Sequence, residues 1–323
     1  MNFVFGRSNL ALTIFVPYDC RNNCSFCTSK KNYAENRPSY RDVRMSLKNF
    51  FRDYSFPIKD VVFTGGEPMA DVIELRYLID LVPPEYNIYI NTTYTNRGLP
   101  QFVKLVNECD KIKGVNISRH SESFEEDCFG FHDIADDAKI RLIKKPVRIN
   151  CVIGDQNIEK VVDRWKAMPV ELCFREDFTT MQDDPKHLHD PFGVIPMKLL
   201  QLGYEFLSHT QCNVCDTTRF IKDKHVVSFH KGRQYSSILS GDTLEINDLI
   251  ITQDGHFRYD WGVEDQLVEQ SLLMKFYKYR SFIESVYMQA YSYSGGCGYS
   301  CGCGYTSGCG GSNCGGSSYS SGC

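Results

Sequence analysis

The feature that most constrains the fold is an alternation of short β-rich segments with helical segments between residues 9 and 177. Strands separated by single helices are typical of βαβ units around a parallel sheet. The pattern therefore predicts an α/β fold in which six strands form either an open sheet or a partial (βα)6 barrel. The predicted strands are 10–16, 60–63, 87–91, 115–118, 147–153 and 171–175, and the predicted helices are 47–54, 72–81, 101–108, 137–144 and 158–167.

Composition and charge exclude several classes of protein. The 323 residues carry 36 Lys and Arg against 40 Asp and Glu, which is too small an imbalance to indicate a nucleic-acid or membrane-surface partner. A hydrophobic content of 42% and a charged content of 24% exclude collagen-like and wholly disordered chains. No segment approaches the roughly 18–20 apolar residues of a membrane span, and residues 1–9 lack a basic region before an apolar one. We therefore expect a cytoplasmic protein without a membrane partner.

The chain beyond residue 177 follows a different pattern. A Pro-flanked loop, 179–192, carries His187 and His189, which are metal-ligand candidates, although exposed histidines are commoner. A predicted helix follows, and then short runs separated by turn residues such as Lys231-Gly232 and Asp254-Gly255 predict antiparallel hairpins. An apolar stripe at helical spacing predicts one long helix over 265–290. The predicted strands of this region are 225–229, 243–246, 249–252 and 256–259.

These patterns divide the chain into three predicted regions. They are an α/β core over 9–178, a smaller α+β substrate or auxiliary region over 179–290, and a low-complexity tail over 291–323. The tail consists of Gly, Ser, Cys and Tyr with one Thr and one Asn, and it has no charged or aliphatic residue. Because it cannot bury enough apolar surface to offset the entropy of ordering, we expect it to be disordered unless something binds it.

The most informative motif is a cysteine triad, Cys20, Cys24 and Cys27, directly after the first predicted strand. In a cytosolic chain, clustered cysteines are more often metal ligands or catalytic groups than disulfides. Three thiolates on one loop can each bind a different iron of a cubane cluster and leave the fourth iron open. Two alternatives remain: a zinc site, which requires a fourth ligand although the nearest downstream histidine is His120, and chance spacing.

A second motif, Gly65-Gly66-Glu67-Pro68, follows the second predicted strand. Two glycines let the backbone approach a ligand closely, and a carboxylate stands beside them. An ordinary strand-to-helix turn with a capping glutamate is the simpler interpretation. That interpretation does not explain why the motif follows a cysteine loop on the preceding strand.

Together the two motifs resemble those of the radical S-adenosylmethionine (SAM) superfamily, over about residues 9–178. The resemblance implies a [4Fe-4S] cluster on the three cysteines, with its open iron chelated by SAM and with the residues from Gly65 to Pro68 close to the SAM amino group. It implies that an electron from the cluster cleaves SAM to methionine and a 5'-deoxyadenosyl radical, which abstracts hydrogen from a substrate. It also implies an electron donor such as flavodoxin or ferredoxin.

The same resemblance suggests further cofactor-binding residues. Phe26 is the aromatic residue that precedes the last cysteine of the triad. Ser118 and Arg119 end the fourth predicted strand, where the family often places groups against the SAM ribose and carboxylate. Ile153 ends the fifth strand near the expected adenine position, and Arg175 ends the sixth. An ordinary role at a strand end remains open for each of the last four.

A second pair of cysteines, Cys212 and Cys215, has the spacing of metal ligands or of a redox pair. It is similar to the start of the auxiliary-cluster segments found in the peptide-modifying and molybdenum-cofactor branches of the superfamily. After Asp254-Gly255, however, the sequence continues with Phe257 and Arg258 where a further cysteine would be expected. A second iron–sulfur cluster, a zinc site or dithiol, and an uninvolved pair all remain open.

The leading hypothesis is therefore a radical SAM enzyme for which the tail favours peptide or protein modification, with a small-molecule reaction as the alternative. The tail suggests three roles: thiolates that complete the site begun by Cys212 and Cys215, a covalently attached substrate, or an extension without chemistry. Fusion of a substrate to its enzyme raises its effective concentration. The alternative from another class is a non-catalytic iron- or zinc-binding or redox protein.

Overall fold

The structure, a computed structural model, describes residues 2–6, 10–17, 20, 22, 24–27, 38–123, 133–177, 193–233, 237–261 and 265–278. The chain divides into two units, Met1–Lys278 and Tyr279–Cys323, and every described residue belongs to the first unit. Several predictions fall outside the described residues. They concern the tail, the histidine loop with His187 and His189, and the region boundaries at 178 and 290. Those predictions stay predictions.

The amino-terminal half of the chain alternates strands and helices, as the sequence predicts. Its strands are β1 (Asn2–Phe5), β2 (Leu10–Val16), β3 (Ile58–Gly65), β4 (Asn87–Thr92), β5 (Ile112–Ser118), β6 (Val147–Val152) and β7 (Glu171–Arg175). Its α-helices are α1 (Tyr40–Asp53), α2 (Val72–Leu81), α3 (Leu99–Glu108) and α4 (Ile158–Trp165), and two 3₁₀ turns span Pro68–Asp71 and Asp137–Leu142.

The remaining elements come from the carboxyl-terminal half. The helices are α5 (Val194–Gln201) and α6 (Gln266–Lys275). The strands are β8 (Glu205–Gln211), β9 (Cys215–Lys222), β10 (His225–Gly232), β11 (Ser237–Ser240), β12 (Thr243–Ile246), β13 (Asp248–Ile251) and β14 (Phe257–Arg258). No helix in the described ranges combines the length and the apolar character that a membrane span requires.

Eleven of these strands form one sheet, so the protein has a mixed α/β fold. The order is β14-β13-β2-β3-β4-β5-β6-β7-β10-β9-β8, and neighbours from β13 to β10 run parallel. Strands from both halves of the chain thus share the sheet. A second sheet has the order β1-β12-β11.

Burial explains why these sequences form these elements. β2 is buried along almost its whole length, as expected for a parallel strand that is covered on both faces. Helix α1 buries Val43, Leu47 and Phe50, which the 3.6-residue period places on one side. Ser39 caps this helix through the amide of Asp42. The core is one cluster that extends over most of the large sheet.

Three local predictions are wrong. The segment predicted as a helix over 137–144 is a 3₁₀ turn, and Lys231-Gly232, predicted as a turn, ends strand β10. Helix α6 ends at Lys275, because the next residues pair with the chain after helix α1 instead: Ser55 N donates to Phe276 O and Lys278 N donates to Asp53 O. Residues 279–290 of the predicted long helix lie outside the described residues.

Candidate functional site

The residues predicted as a site lie at one edge of the large sheet. Parallel strands β2 to β7 all end at this edge, where ligands of such sheets usually bind. The antiparallel pair β8 and β9 turns at the same edge, because β9 begins beside the end of β10. The sheet therefore brings the cysteine loop, the glycine turn and the Cys212–Cys215 turn to one side of the molecule.

The cysteine loop follows β2. Cys20, Cys24 and Cys27 are each half-buried, and Cys27 N donates to Cys24 O at 3.2 Å. Within the described ranges, no three His, Cys, Asp or Glu side chains converge on a point where they could hold one metal ion. The chemistry of the donor set fits an iron–sulfur cluster, since such clusters take cysteine thiolates and place each on a different iron.

Phe26 connects the cysteine loop to the end of β5. Its ring lies edge-on to the ring of His120, with 4.7 Å between centroids. His120 is buried, and its Nδ1 accepts a hydrogen bond from Val152 N at 3.0 Å. Burial, with the nearby Arg119 and Arg164 charges, lowers the pKa of His120 to about 3. The imidazole is therefore neutral near pH 7, and it holds Phe26 against the ends of β5 and β6.

The glycine turn lies beside the end of β2, the strand that leads into the cysteine loop. Gly65 stands opposite Val16, the last residue of β2, and Gly66 N donates to Val16 O at 3.3 Å. Gly65 has a φ of +105°, and a Cβ there would lie 2.8 Å from Phe15 Cα. Only glycine allows this backbone conformation and this close approach without strain. The two predicted motifs are thus held together by adjacent strands.

The Glu67 carboxylate is directed into the protein. The side chain is 4% exposed and accepts four hydrogen bonds. Its Oε2 accepts from Thr93 N at 2.8 Å and from Thr93 Oγ1 at 2.5 Å, while Oε1 accepts from Met69 N at 2.9 Å and from the Thr92 hydroxyl. In this structure Glu67 fixes the turn to the end of β4.

Thr92 and Thr93 were not identified in the sequence. Their signal is the polar run from Asn91 to Thr93, which follows the apolar part of β4 at the ligand-binding edge. A hydroxyl that binds a glutamate from the neighbouring strand lies at no characteristic sequence distance from it. The partnership becomes visible only once β3 and β4 are placed side by side.

Ser118 and Arg119 lie where β5 ends, but the Arg119 guanidinium is fully buried. Its Nη1 donates to Thr93 O at 2.6 Å and to Ser118 O at 2.9 Å, and its Nη2 donates to Ala135 O at 3.0 Å. Its Nε pairs with Asp137 Oδ1 at 3.1 Å. The guanidinium therefore holds neighbouring backbone segments in place.

Ile153 and Arg175 lie next to each other at the far end of the same edge. Ile153 is half-buried, and its N donates to Arg175 O at 2.8 Å. Arg175 is the last residue of β7 and is also half-buried. In the part of the chain that the structure describes, its guanidinium makes no side-chain hydrogen bond or ion pair.

Cys212 and Cys215 flank the tight turn between β8 and β9. Their sulfur atoms lie 2.8 Å apart, and Cys212 N donates to Cys215 O at 2.8 Å. Both side chains are half-buried. Asn213, inside the turn, donates to both carboxylate oxygens of Glu245, so the turn is fixed to β12.

Comparison with known protein families matches residues 8–126 to the 4Fe-4S single cluster domain. The match supports the [4Fe-4S] cluster that the sequence predicts. The matched segment covers less than half of the chain and contains both the cysteine triad and the glycine turn. No curated protein matches the chain.

Solved structures give weaker likenesses. Streptococcus suis SuiB bound to precursor peptide SuiA has a TM-score of 0.44 and 16% identity, over 60% of this chain and 47% of that chain. Native anSMEcpe with bound AdoMet and Cp18Cys peptide has a TM-score of 0.43 and 17% identity, over 52% of this chain and 51% of that chain. This chain thus spans about half the length of these proteins.

Proposed function

We propose that this protein is a radical SAM enzyme. Cys20, Cys24 and Cys27 would hold a [4Fe-4S] cluster, and the turn from Gly65 to Pro68 would lie against the amino acid part of SAM. The observation that carries the proposal is that the two motifs follow adjacent parallel strands, with Gly66 N bonded to Val16 O at the end of the strand before the cysteine loop. The 8–126 family match supports the cluster independently.

The bound cluster and SAM would supply reductive cleavage of the sulfonium bond and a 5'-deoxyadenosyl radical that takes hydrogen from a substrate. The protein's own part is to bind, orient and shield these groups, because such a radical reacts with almost any nearby C–H bond. Gly65 lets the turn pass close to Phe15 on β2, and the half-buried side chain of Ile153 provides an apolar surface. We propose that Ser118 and Arg175 bind polar groups of SAM or of the substrate. We further propose that β2 to β7 curve into the partial barrel predicted for this family.

The function is tested by anaerobic cluster reconstitution, followed by dithionite and SAM, with 5'-deoxyadenosine measured by mass spectrometry. The wild-type protein should form the nucleoside, and Cys24→Ala should abolish it. Cys109→Ala, at the end of helix α3 and away from the loop, is the matched control and should retain activity. A cluster signal without any 5'-deoxyadenosine would favour the alternative, a non-catalytic metal or redox protein.

We propose a peptide as substrate, with the chain's own 291–323 tail as the first candidate. Cys, Tyr, Ser and Gly residues offer α- and β-carbon hydrogens to a radical, and the tail is rich in all four. The region 179–290 would then select the substrate, while 9–178 generates the radical. After turnover, peptide mass mapping should show a mass change within 291–323. An unchanged tail would remove the self-modification hypothesis and leave an external peptide or small molecule.

We propose that Cys212 and Cys215 form a second thiolate site. Their side-by-side position in one turn at the ligand-binding edge supports it. The measurement is iron and zinc content per chain after reconstitution, compared between wild type, Cys24→Ala and the double variant Cys212→Ala/Cys215→Ala. If a second metal site exists, Cys24→Ala should still bind metal. The double variant should then bind less metal than wild type, because only the triad remains. The flavodoxin or ferredoxin partner and the cytoplasmic location also stay proposals.

A further inference from the structure

Asp137 joins two arginines beneath the proposed cofactor site. Its Oδ1 accepts from Arg119 Nε at 3.1 Å, and its Oδ2 accepts from Arg164 Nε at 2.9 Å. The Arg119 and Arg164 side chains are only 0% and 10% exposed. One carboxylate thus pairs with two buried cations, and loss of a charged partner from a buried pair is strongly unfavourable. Asp137 supplies that charge.

Each arginine also donates a hydrogen bond to a backbone carbonyl at the ligand-binding edge. Arg164 Nη1 donates to Ser121 O at 2.9 Å, which holds the chain after β5. Arg119 Nη1 donates to Thr93 O at 2.6 Å, which holds the chain after β4. The planar guanidinium group fixes several acceptors in set directions, so movement of Arg119 would displace Thr93.

Thr93 is also the residue that fixes the glycine turn. Its amide and hydroxyl both donate to Glu67 Oε2, at 2.8 Å and 2.5 Å. Glu67 follows Gly65 and Gly66 directly. A continuous series of contacts therefore runs from Asp137 through Arg119 and Thr93 to Glu67, although Asp137 lies 70 residues along the chain from Glu67.

We propose that Asp137 is a positioning residue for the SAM-binding turn. The inference rests on the proposed function and assigns a role to a residue outside both motifs. Asp137 does not touch the cofactor. It keeps Arg119 oriented, and through Thr93 it keeps Glu67 and the preceding glycines in the conformation that SAM meets. In Asp137→Asn, the amide NH2 would face an arginine donor, and Arg119 would lose part of its anchoring.

The test compares Asp137→Asn with Asp163→Asn in cluster-loaded protein. Asp163 lies on helix α4 and forms an exposed ion pair with Lys166. We expect Asp137→Asn to weaken SAM binding, measured by equilibrium dialysis with labelled SAM, by about 10- to 100-fold, as is usual for groups that orient a binding site. Iron content and the rate of 5'-deoxyadenosine formation at saturating SAM should stay within about twofold of wild type on the same argument. Asp163→Asn should bind SAM as wild type does.

Two further variants separate positioning from folding. Asp137→Glu keeps the charge and should recover part of the affinity lost in Asp137→Asn. If Asp137→Asn does not fold, SAM binding is measured in Thr93→Val instead. This change keeps the side-chain shape and the hydrogen bond from the Thr93 amide to Glu67, but it removes the hydrogen bond from the Thr93 hydroxyl. Equal SAM affinity in wild type and in the folded variant overturns the inference. Wild type that neither binds nor cleaves SAM instead overturns the proposed function.

Discussion

At the scale of single residues, Gly65 shows most directly how the glycine turn constrains the chain. We expect Gly65→Ala to lower the free energy of unfolding by about 2–4 kcal/mol, since backbone strain and overlap with Phe15 each cost about 1–3 kcal/mol. Gly241→Ala is the matched control, because Gly241 also has a positive φ, +57°, but nothing lies within 4 Å of its would-be Cβ. Urea unfolding measures both. Equal losses in the two variants would show that the approach to Phe15 has no cost.

The neutral state of His120 makes a prediction about pH. Because its pKa is about 3 in the folded protein, below the 6.5 of an unperturbed histidine, the unfolded chain binds more protons between these values. Stability should therefore decrease as pH falls from about 6.5 toward 3. We expect His120→Gln to reduce this slope by about 1 kcal/mol per pH unit between pH 5 and 6.

Urea unfolding of the cluster-free protein at several pH values measures that slope. His256→Gln, a replacement at an exposed histidine, provides the reference. An identical slope in wild type and His120→Gln would contradict a buried neutral imidazole.

At the scale of elements, sequence patterns locate the strands of βαβ units well and locate tertiary partners poorly. The strands 10–16 and 171–175 and the helix 72–81 have the predicted bounds, because apolar runs and caps are local signals. The 3₁₀ turn Asp137–Leu142 was predicted as a helix because its apolar spacing is similar. Its geometry depends instead on partners far along the chain, such as Arg119 and Asn107, which binds Leu142 O and Lys144 N.

Helix α6 depends on an aromatic cluster for its position. Its ten residues are too few for a stable isolated helix. The ring of Phe276, just after the helix, lies 4.7 Å from the ring of Phe56 and 5.2 Å from that of Phe5. Phe56 also stacks on Phe50 at 5.3 Å. The cluster thus joins helix α6 to strand β1, helix α1 and the start of β3.

We expect Phe56→Ala to lower the free energy of unfolding by about 3–5 kcal/mol and to accelerate amide exchange in helix α6. Phe206→Ala, at a side chain that is half exposed on β8, should change stability by no more than about 0.5 kcal/mol. Hydrogen exchange and urea unfolding provide the two measurements. Unchanged exchange in residues 266–275 of Phe56→Ala would show that other contacts hold the helix.

At the scale of the whole molecule, long-range strand pairing is the part of the fold that the sequence did not predict. β13 pairs in parallel with β2, and β10 pairs in parallel with β7. Hydrophobic periodicity identifies a strand but contains no information about a partner some 240 residues away. The same holds for the candidate site. The cysteines and glycines could be identified from their spacing in the sequence. The orientations of the Glu67 and Arg119 side chains could not, because they depend on contacts with the end of β4 and with Asp137.

The pairing of β2 makes a prediction about the cluster-free protein. This strand lies inside the sheet, bonded to β3 on one side and to β13 on the other. We therefore expect the amides of residues 11–16 to be among the slowest to exchange, even without the cluster, and those of β8, which pairs only with β9 among the described strands, to be faster. Hydrogen exchange followed by mass spectrometry compares the two strands. Rapid exchange of β2 in the cluster-free form would mean that the cluster itself holds the fold.

Because β2 is hydrogen-bonded to a strand on each side, the fold should persist when the cluster is lost. Many small metal-binding domains unfold when their metal is lost, because the ligands are a large part of what keeps them together. Here the cysteine loop extends from a strand that is stabilised by ordinary backbone pairing. After oxygen damage to the cluster, the cluster-free protein would stay folded. A new cluster could then be assembled on it from iron and sulfide without synthesis of a new chain.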